Sequence, residues 1–537
     1  MLVCALALAA CGGGGGSGPP ASAPAPPAPA PASISLPDAG PVARSDPGSP
    51  LGAEWMHGAF MQIFVRSYQD SDGDGHGDLR GLIQRLDYLQ QLGVRGLWLL
   101  PVARSQDGDH GYAVSQYRDI EAGYGSLADL DELLRQAHAR GIGVVLDYVV
   151  NHAAAQHPAF QAARADAASA TRNWFVWQAQ APNGWNVFGG NPWRNSPSGA
   201  YYAPFWDQMP DWNLRDSEVQ AFHRHNLRFW LNRGVDGFRF DAVGMLFENG
   251  PSQWEDQPEN FSFLREQVVP ELAAFANRFM VCEGPTQPLA FAAACGRAFA
   301  FGTQAALLAA ARGQNLAALA TLQPGASLSP FLSNHDSFAG DRPWQQLAGN
   351  LAQLKLAAGL LLLREGTPFI YYGEEIGMGH GAGLSGDARL RSPMSWTADN
   401  RGAEGFSTAA PYRALAQNVA AQNVAAQQSD PQSLLNHYRA LLTLRNAHSA
   451  LSRGSTHDQR AIGTLFHFRR ERGDDRLWVL YHTGPSRLSS ASIESLPSGA
   501  RLQRLFGGGT DTATADAQGR IQLDLPAQSI HVYRLLP

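Results

Sequence analysis

Four short segments of a 537-residue chain each place a carboxylate, a histidine or an arginine at the end of an apolar run. They are Asp147-Tyr148-Val149-Val150-Asn151-His152, Gly237-Phe238-Arg239-Phe240-Asp241, Val281-Cys282-Glu283-Gly284 and Ser333-Asn334-His335-Asp336. Arg239 and Asp241 stand two apart, so on a strand their side chains share a face, and the guanidinium can hold the carboxylate ionised and oriented. Taken alone, such a pair is more often a structural ion pair. A second carboxyl at another strand end, Glu283, gives it a different meaning. Burial and a negative neighbour raise a carboxyl's pKa and turn it into a proton donor. One ionised and one protonated carboxyl at close range are what a double displacement at carbon requires.

Such side chains need a scaffold that brings several strand ends together. From Phe60 the chain alternates short apolar runs with helically spaced leucines, the pattern of parallel βα units. Runs at 61–65, 96–100, 141–149, 235–240, 279–282, 298–301, 330–333 and 368–372 predict strands, and Leu79, Leu82, Leu86 and Leu89, then Leu127, Leu130, Leu133 and Leu134, predict intervening helices. The expected fold is α/β, a (β/α)8 TIM barrel over 53–150 and 211–449, with its chemistry at the C-terminal strand ends where the four segments lie. Residues 151–210, rich in Trp, Asn, Gly and Pro, are too long for an ordinary βα loop and predict a small domain inserted after the third strand. Beyond a last helix at 431–448, alternating runs at 464–468, 477–482, 502–505, 521–525 and 530–535 predict a C-terminal antiparallel β-sandwich over 450–537.

In this order and together, the four segments resemble the α-amylase family of glycoside hydrolases (glycoside hydrolase family 13). The resemblance implies that 151–210 is the family's domain B, that Asp241 is the nucleophile, and that Glu283 is the general acid and then the base. Once Asp241 is glycosylated its charge is gone, and the pKa of Glu283 should fall to suit deprotonation of water. Asp336 resembles the third acid, which holds sugar hydroxyls, and His152 and His335 match histidines that bind the same sugar. For a lone histidine, a capping or core role is the commoner alternative. Asp147 and Asn151 are assigned to support. Asp109-His110-Gly111-Tyr112 resembles the loop whose Tyr stacks on that sugar, although Ala113 and Gln116 stand where many relatives carry acids, leaving the loop's support open. Arg391, in Arg391-Ser392-Pro393-Met394-Ser395-Trp396, resembles an arginine of exo-acting relatives and is expected to pair with Asp109. Met209-Pro210-Asp211-Trp212-Asn213 lies between the forms of the oligo-1,6-glucosidase and neopullulanase branches. The implied activity is retaining hydrolysis of α-glucosidic bonds, foremost α-1,4, in starch-like glucans or maltooligosaccharides. An exo-acting α-glucosidase or oligo-1,6-glucosidase, or a transglycosylase, is the alternative, and a non-catalytic binding subunit is disfavoured because all three acids are present.

Asp70, Asp72, Asp74, His76 and Asp78 alternate with Ser71, Gly73, Gly75 and Gly77, a spacing that suits the oxygen ligands of a hard cation such as calcium. Gly81 stands where an EF-hand would carry Glu, so no EF-hand is implied. An acidic solvated turn is the plainer alternative. The same spacing resembles the structural Ca2+ loop of the family's oligosaccharide-cleaving branch. Residues 1–11, ending Leu8-Ala9-Ala10-Cys11, resemble a bacterial lipoprotein signal, and 12–52 read as a disordered Gly/Pro/Ala tether. An exported protein is therefore expected, held by a lipid anchor at the cell envelope, periplasmic or outer. Cys4 and Cys11 fall in the signal, which leaves Cys282 and Cys295, whose bonding state stays open. No later run is long and apolar enough to span a bilayer. A formal charge of -6 gives no electrostatic case for nucleic acid or anionic lipid and points to a neutral substrate. The resemblance implies that this substrate is an α-glucan, and a monomer is expected.

Overall fold

Strands buried on both faces read as near-continuous apolar runs and pair in parallel. Here they are β1 (Phe60–Ile63), β2 (Gly96–Leu99), β3 (Gly143–Tyr148), β4 (Gly237–Phe240), β5 (Phe279–Cys282), β6 (Ala298–Phe299), β7 (Leu328–Ser329) and β8 (Phe369–Tyr371) of the computed structural model, which describes residues 35–322, 325–494 and 496–536. The order is β7-β6-β5-β4-β3-β2-β1-β8, every neighbour parallel. The Phe369 N–H donates to Pro330 O at 2.8 Å, which closes the barrel between β8 and the end of β7. Phe60, Trp98, Val145, Phe279, Phe299 and Phe369 form one apolar cluster inside. Two residues further along β1, β3 and β4, alternation brings Gln62, Asp147 and Arg239 to the same inner face, all buried. Gly237 is obligatory at the start of β4, because a Cβ there would lie 1.9 Å from Phe279 O.

The seventh strand pairs at Leu328–Ser329 rather than over 330–333. Pro330 has no N–H to give a ladder, so pairing stops and 330–336 runs out toward the mouth. Between β3 and β4 lies a three-stranded sheet from Trp177–Gln178, Gly199–Tyr202 and Trp193–Ser196 over a small core of Trp193, Ala200 and Tyr202. After the helix Leu434–Ala447, eight strands follow: β9 (Ser455–Ile462), β10 (Leu465–Arg472), β11 (Asp475–His482), β12 (Leu488–Ile493), β13 (Arg501–Phe506), β14 (Thr512–Thr514), β15 (Ile521–Leu525) and β16 (Ser529–Leu536). The sheet β9-β10-β11-β16-β13-β14 packs on the β12–β15 pair through Trp478, Leu480, Ile493, Leu502, Leu523 and Tyr533.

Composition misplaces one boundary. The signal at 1–11 and the tether as far as residue 34 lie outside the described residues, but 36–52 is no free tether. It lies along the barrel, with Asp38 buried and accepting from Tyr117 N at 2.9 Å, Ser45 N donating to Asn232 Oδ1 at 2.8 Å, and Leu51 in the barrel-bottom cluster. A Pro-rich segment makes no helix or strand, yet it can bond side chain by side chain to a surface it lies against.

Candidate active site

The mouth of the barrel is organised by one arginine. Arg239 Nη1 donates to Asp241 at 2.5 Å and to Asp147 at 2.7 Å, and its Nη2 lies 2.7 Å from Glu283 Oε2. Sharing one guanidinium keeps Asp241 and Glu283 close, as double displacement demands of its two carboxyls, about 5 Å apart in retaining enzymes. Burial pushes Glu283 up to about 8, with the Asp241 and Asp336 charges adding to it against the pull of Arg239. The raised pKa makes Glu283 the member of the pair suited to carry the proton. Ala242, just after Asp241, takes a left-handed φ of 46°, and its N–H donates to Glu283 Oε2 at 3.1 Å. Strain of this kind persists where the surroundings over-determine it.

A second line of contacts fixes the sugar-facing wall. Gln62 Nε2 donates to His335 Nδ1 at 2.7 Å, which leaves the His335 Nε2–H for Tyr112 Oη, also at 2.7 Å, while Tyr112 O–H donates to Asp147 Oδ2 at 2.8 Å. Burial holds His335 far below its ordinary pKa and His152 at about 4, so both are neutral. Arg391 donates to Asp336 Oδ1 at 2.9 Å and to His335 O at 3.0 Å. Burial lifts Asp336 to about 6 against that pull. The Nε2 of His152 is buried without a hydrogen-bond partner in the protein. Such a group is available to a ligand hydroxyl.

Asp109 pairs with Arg391 as expected and has a second, shorter partner. Its short partner is Arg413, at 2.6 Å, with Arg391 at 3.7 Å. Arg391 is already engaged by Asp336, and Arg413 approaches from a loop whose sequence carries no periodic signal. The missing acids after Tyr112 are made good by Asp107. It accepts from the N–H groups of Asp109, Gly111 and Ala113 and from the Ser105 hydroxyl. Burial opposes its ionisation, but His110 and these donors hold it at about 2. Gln62, Asp107 and Arg413 escape the sequence reading. The one signal for Gln62 is an amide in an otherwise apolar strand.

Of the five residues proposed for a metal, Asp70, Asp72 and Asp78 bring carboxylate oxygens within 4.8 Å of one another. Asp74 and His76 point elsewhere: Asp74 accepts from His76 N at 2.7 Å, and the His76 ring stacks on Tyr412 at 4.9 Å. A second oxygen cluster went unread in the sequence. Asp211 is buried beside Glu248 with the Asn151 side chain as its one nearby polar partner, and Asn151 Oδ1 is buried with no donor. Burial, then the Glu248 charge, pushes Asp211 well above the carboxylate range, and burial lifts Glu248 to about 7 although Arg215 lies 3.8 Å away. Oxygen acceptors lacking donors suit a hard cation.

A barrel of this order with an arginine-linked carboxylate pair at its mouth defines a retaining glycosidase. The model of the α-amylase catalytic domain matches residues 62–454, and the chain belongs to the α-amylase family. It is 32% identical over 449 residues to α-amylase 3 of Dictyoglomus thermophilum, covering 80% of this chain and 85% of that one. It is 30% identical over 546 residues to a probable α-glucosidase of Rhizobium meliloti, covering 90% and 97%. Among solved structures, the α-amylase from H. orenii superposes with a TM-score of 0.76 at 30% identity, over 90% of this chain and all of that one (100%).

Proposed function

We propose that this enzyme hydrolyses α-1,4 bonds of maltooligosaccharides and starch-like glucans with retention. The observation that carries the reading is Arg239 joining Asp241, Asp147 and Glu283. Asp241 attacks the anomeric carbon while Glu283 gives its proton to the leaving oxygen. Glu283 then takes a proton from water as the ester to Asp241 is cleaved. Asp336, His335, Tyr112 and His152 hold the hydroxyls and face of the same sugar.

Exo action is the second reading, and the Asp109 contacts favour it. Arg413 and Arg391 hold Asp109 one guanidinium away from Asp336, where a charged group can receive the hydroxyls of a terminal glucose and stop a longer chain. The deciding test is digestion of maltoheptaose with a free or a chemically blocked non-reducing end. Cleavage of the free substrate alone supports exo action, and Arg413→Ala should then relax it. Cleavage of both supports an open endo cleft. If neither is cut and maltose and isomaltose also survive, the hydrolase reading is wrong.

Calcium fits as a structural ion. Asp70, Asp72 and Asp78 would hold it in the first loop, and Asn151, Asp211 and Glu248 offer a second oxygen set between barrel and inserted domain. It would neutralise carboxylates and brace loops. Export to the cell envelope, on a lipid anchor at Cys11, is the localisation we propose; the Cys282–Cys295 disulfide, a bond that persists in oxidising compartments, supports the export alone. A monomer is the working assembly.

A further inference from the structure

Ahead of the barrel, the chain enters the protein interior at a single side chain. Asp38 is buried, whereas the other residues of 36–50 are exposed or half-buried. A buried carboxylate is costly, and where stability alone is served an apolar side chain does as well. What a paired carboxylate adds is direction, and Asp38 directs two groups with one oxygen. Its Oδ2 accepts from Tyr117 N at 2.9 Å and lies 3.2 Å from His157 Nε2, while its Oδ1 has no partner in the protein. His157 Nδ1 accepts from Ala159 N at 3.2 Å, so Nε2 carries the proton and donates to Asp38.

Both groups lead to the sugar-facing wall. Tyr117, on the strand Val114–Ile120, turns its hydroxyl toward the end of β3, donating to His152 O at 2.8 Å and Val149 O at 3.0 Å and accepting from Trp212 Nε1 at 3.1 Å. His157 closes the same stretch from its other end, where its N–H donates to Ala154 O at 2.9 Å. Residues 152–157 are therefore held at both ends by groups that Asp38 holds. The His152 ring has little else to fix it. Its Nε2 is buried without a partner, and its polar neighbours are Asn151 Nδ2, at 3.4 Å from Nδ1, and the Tyr112 carbonyl. Where Nε2 meets a ligand thus follows from the backbone that Tyr117 and His157 secure.

We propose that Asp38 is a positioning residue of the active site, setting through Tyr117 and His157 where His152 meets the sugar. The inference rests on the glycosidase reading above, and it makes the segment ahead of the barrel part of what holds the substrate.

The experiment measures kcat/KM of the full chain on p-nitrophenyl α-glucoside and maltoheptaose, well below Tm, for the wild type, Asp38→Ala, His152→Ala and the double variant. Asp38→Ala should lower kcat/KM about tenfold or more, the scale set by a small misplacement of a group that holds substrate. In the His152→Ala background the same change should cost less than about twofold, because the two losses share one route. Asp38→Asn, which keeps an oxygen where Oδ2 stands, should retain most of the wild-type value. If Asp38→Ala does not fold, Tyr117→Phe, which removes one hydroxyl alone, takes its place in the cycle and should show the same loss and the same dependence on His152. A lowered Tm with kcat/KM unchanged would leave Asp38 a stabilising residue only and overturn the proposal. So would an equal loss with and without the His152 side chain. If the wild type cleaves neither substrate, the glycosidase reading fails and this inference falls with it.

Discussion

Glu283 must be protonated to act first and ionised to act second, and its surroundings supply the switch. With Asp241 ionised, burial and like charge hold Glu283 at about 8. In the glycosyl-enzyme the Asp241 charge is gone, and Arg239 at 2.7 Å then favours the carboxylate. For the free enzyme the sign is plain: kcat/KM falls as pH rises through about 8, where the general acid loses its proton. Glu283→Gln should abolish that limb and slow hydrolysis of unactivated maltooligosaccharides by roughly 10²–10⁴-fold. With an activated aryl glucoside the same variant should accumulate a covalent Asp241 adduct, read by intact-mass spectrometry. An unchanged pH profile in the variant would reassign the acid. Asp241, Glu283 and Asp336 are legible in sequence because each sits in a short motif at the end of an apolar run. Asp107 is not, since its role comes from the curl of the loop around it. Arg413 is not either, because only the fold brings a residue 304 positions away onto Asp109.

At the scale of elements, the loop between β1 and the short helix Leu79–Gln84 is folded around its own carboxylates. Asp70 accepts from the N–H groups of Asp72, Gly73 and Gly75 and from the Ser407 hydroxyl, and Asp78 caps the helix through Gly81 N. With three carboxylates converging, removal of a cation leaves unscreened repulsion but does not touch Arg239 or its partners. A chelator should therefore lower Tm more than it lowers kcat at low temperature, and Asp72→Ala should blunt the response to added calcium. No change in either quantity would dismiss the metal. The disulfide acts on another element. Cys282 ends β5 beside Glu283, and Cys295 ends the helix Pro288–Cys295, with 13 residues of separation. Closing a loop of that size is worth about 3 kcal/mol in the chain-entropy account. Cys295→Ser should lower Tm and, by loosening the turn that carries Glu283, reduce kcat several-fold with KM nearly constant. The strands themselves were legible from apolar runs. β7 was displaced because Pro330 reads as apolar but can only accept, as it does from Phe369 N, and has no N–H to carry the ladder further.

For the whole molecule, the N-terminal boundary was read from composition, and composition says how a segment behaves alone, not what it meets. Residues 36–52 carry a fixed set of partners: Asp38 with Tyr117 N and His157 Nε2 (3.2 Å), Ser45 N with Asn232, and Asp46 with Arg278 (3.4 Å). Asp38 is 1% exposed. Burial opposes its charge, yet His157 and the Tyr117 N–H outweigh that and hold its pKa below the ordinary value. A depressed carboxyl pKa contributes stability that is full above the unfolded value and is lost as pH falls through the folded one. A soluble form beginning at Leu36 should therefore melt several degrees above one beginning at Ala53 at about pH 6, and Asp38→Ala in the longer form should recover much of the difference. As the pH is lowered below the ordinary carboxyl range the Asp38 share should vanish, while the Ser45 and Leu51 contacts persist, so the two forms converge without becoming equal. Equal melting temperatures at neutral pH would show that the segment only rests on the barrel, and would restore the tether to its full assigned length.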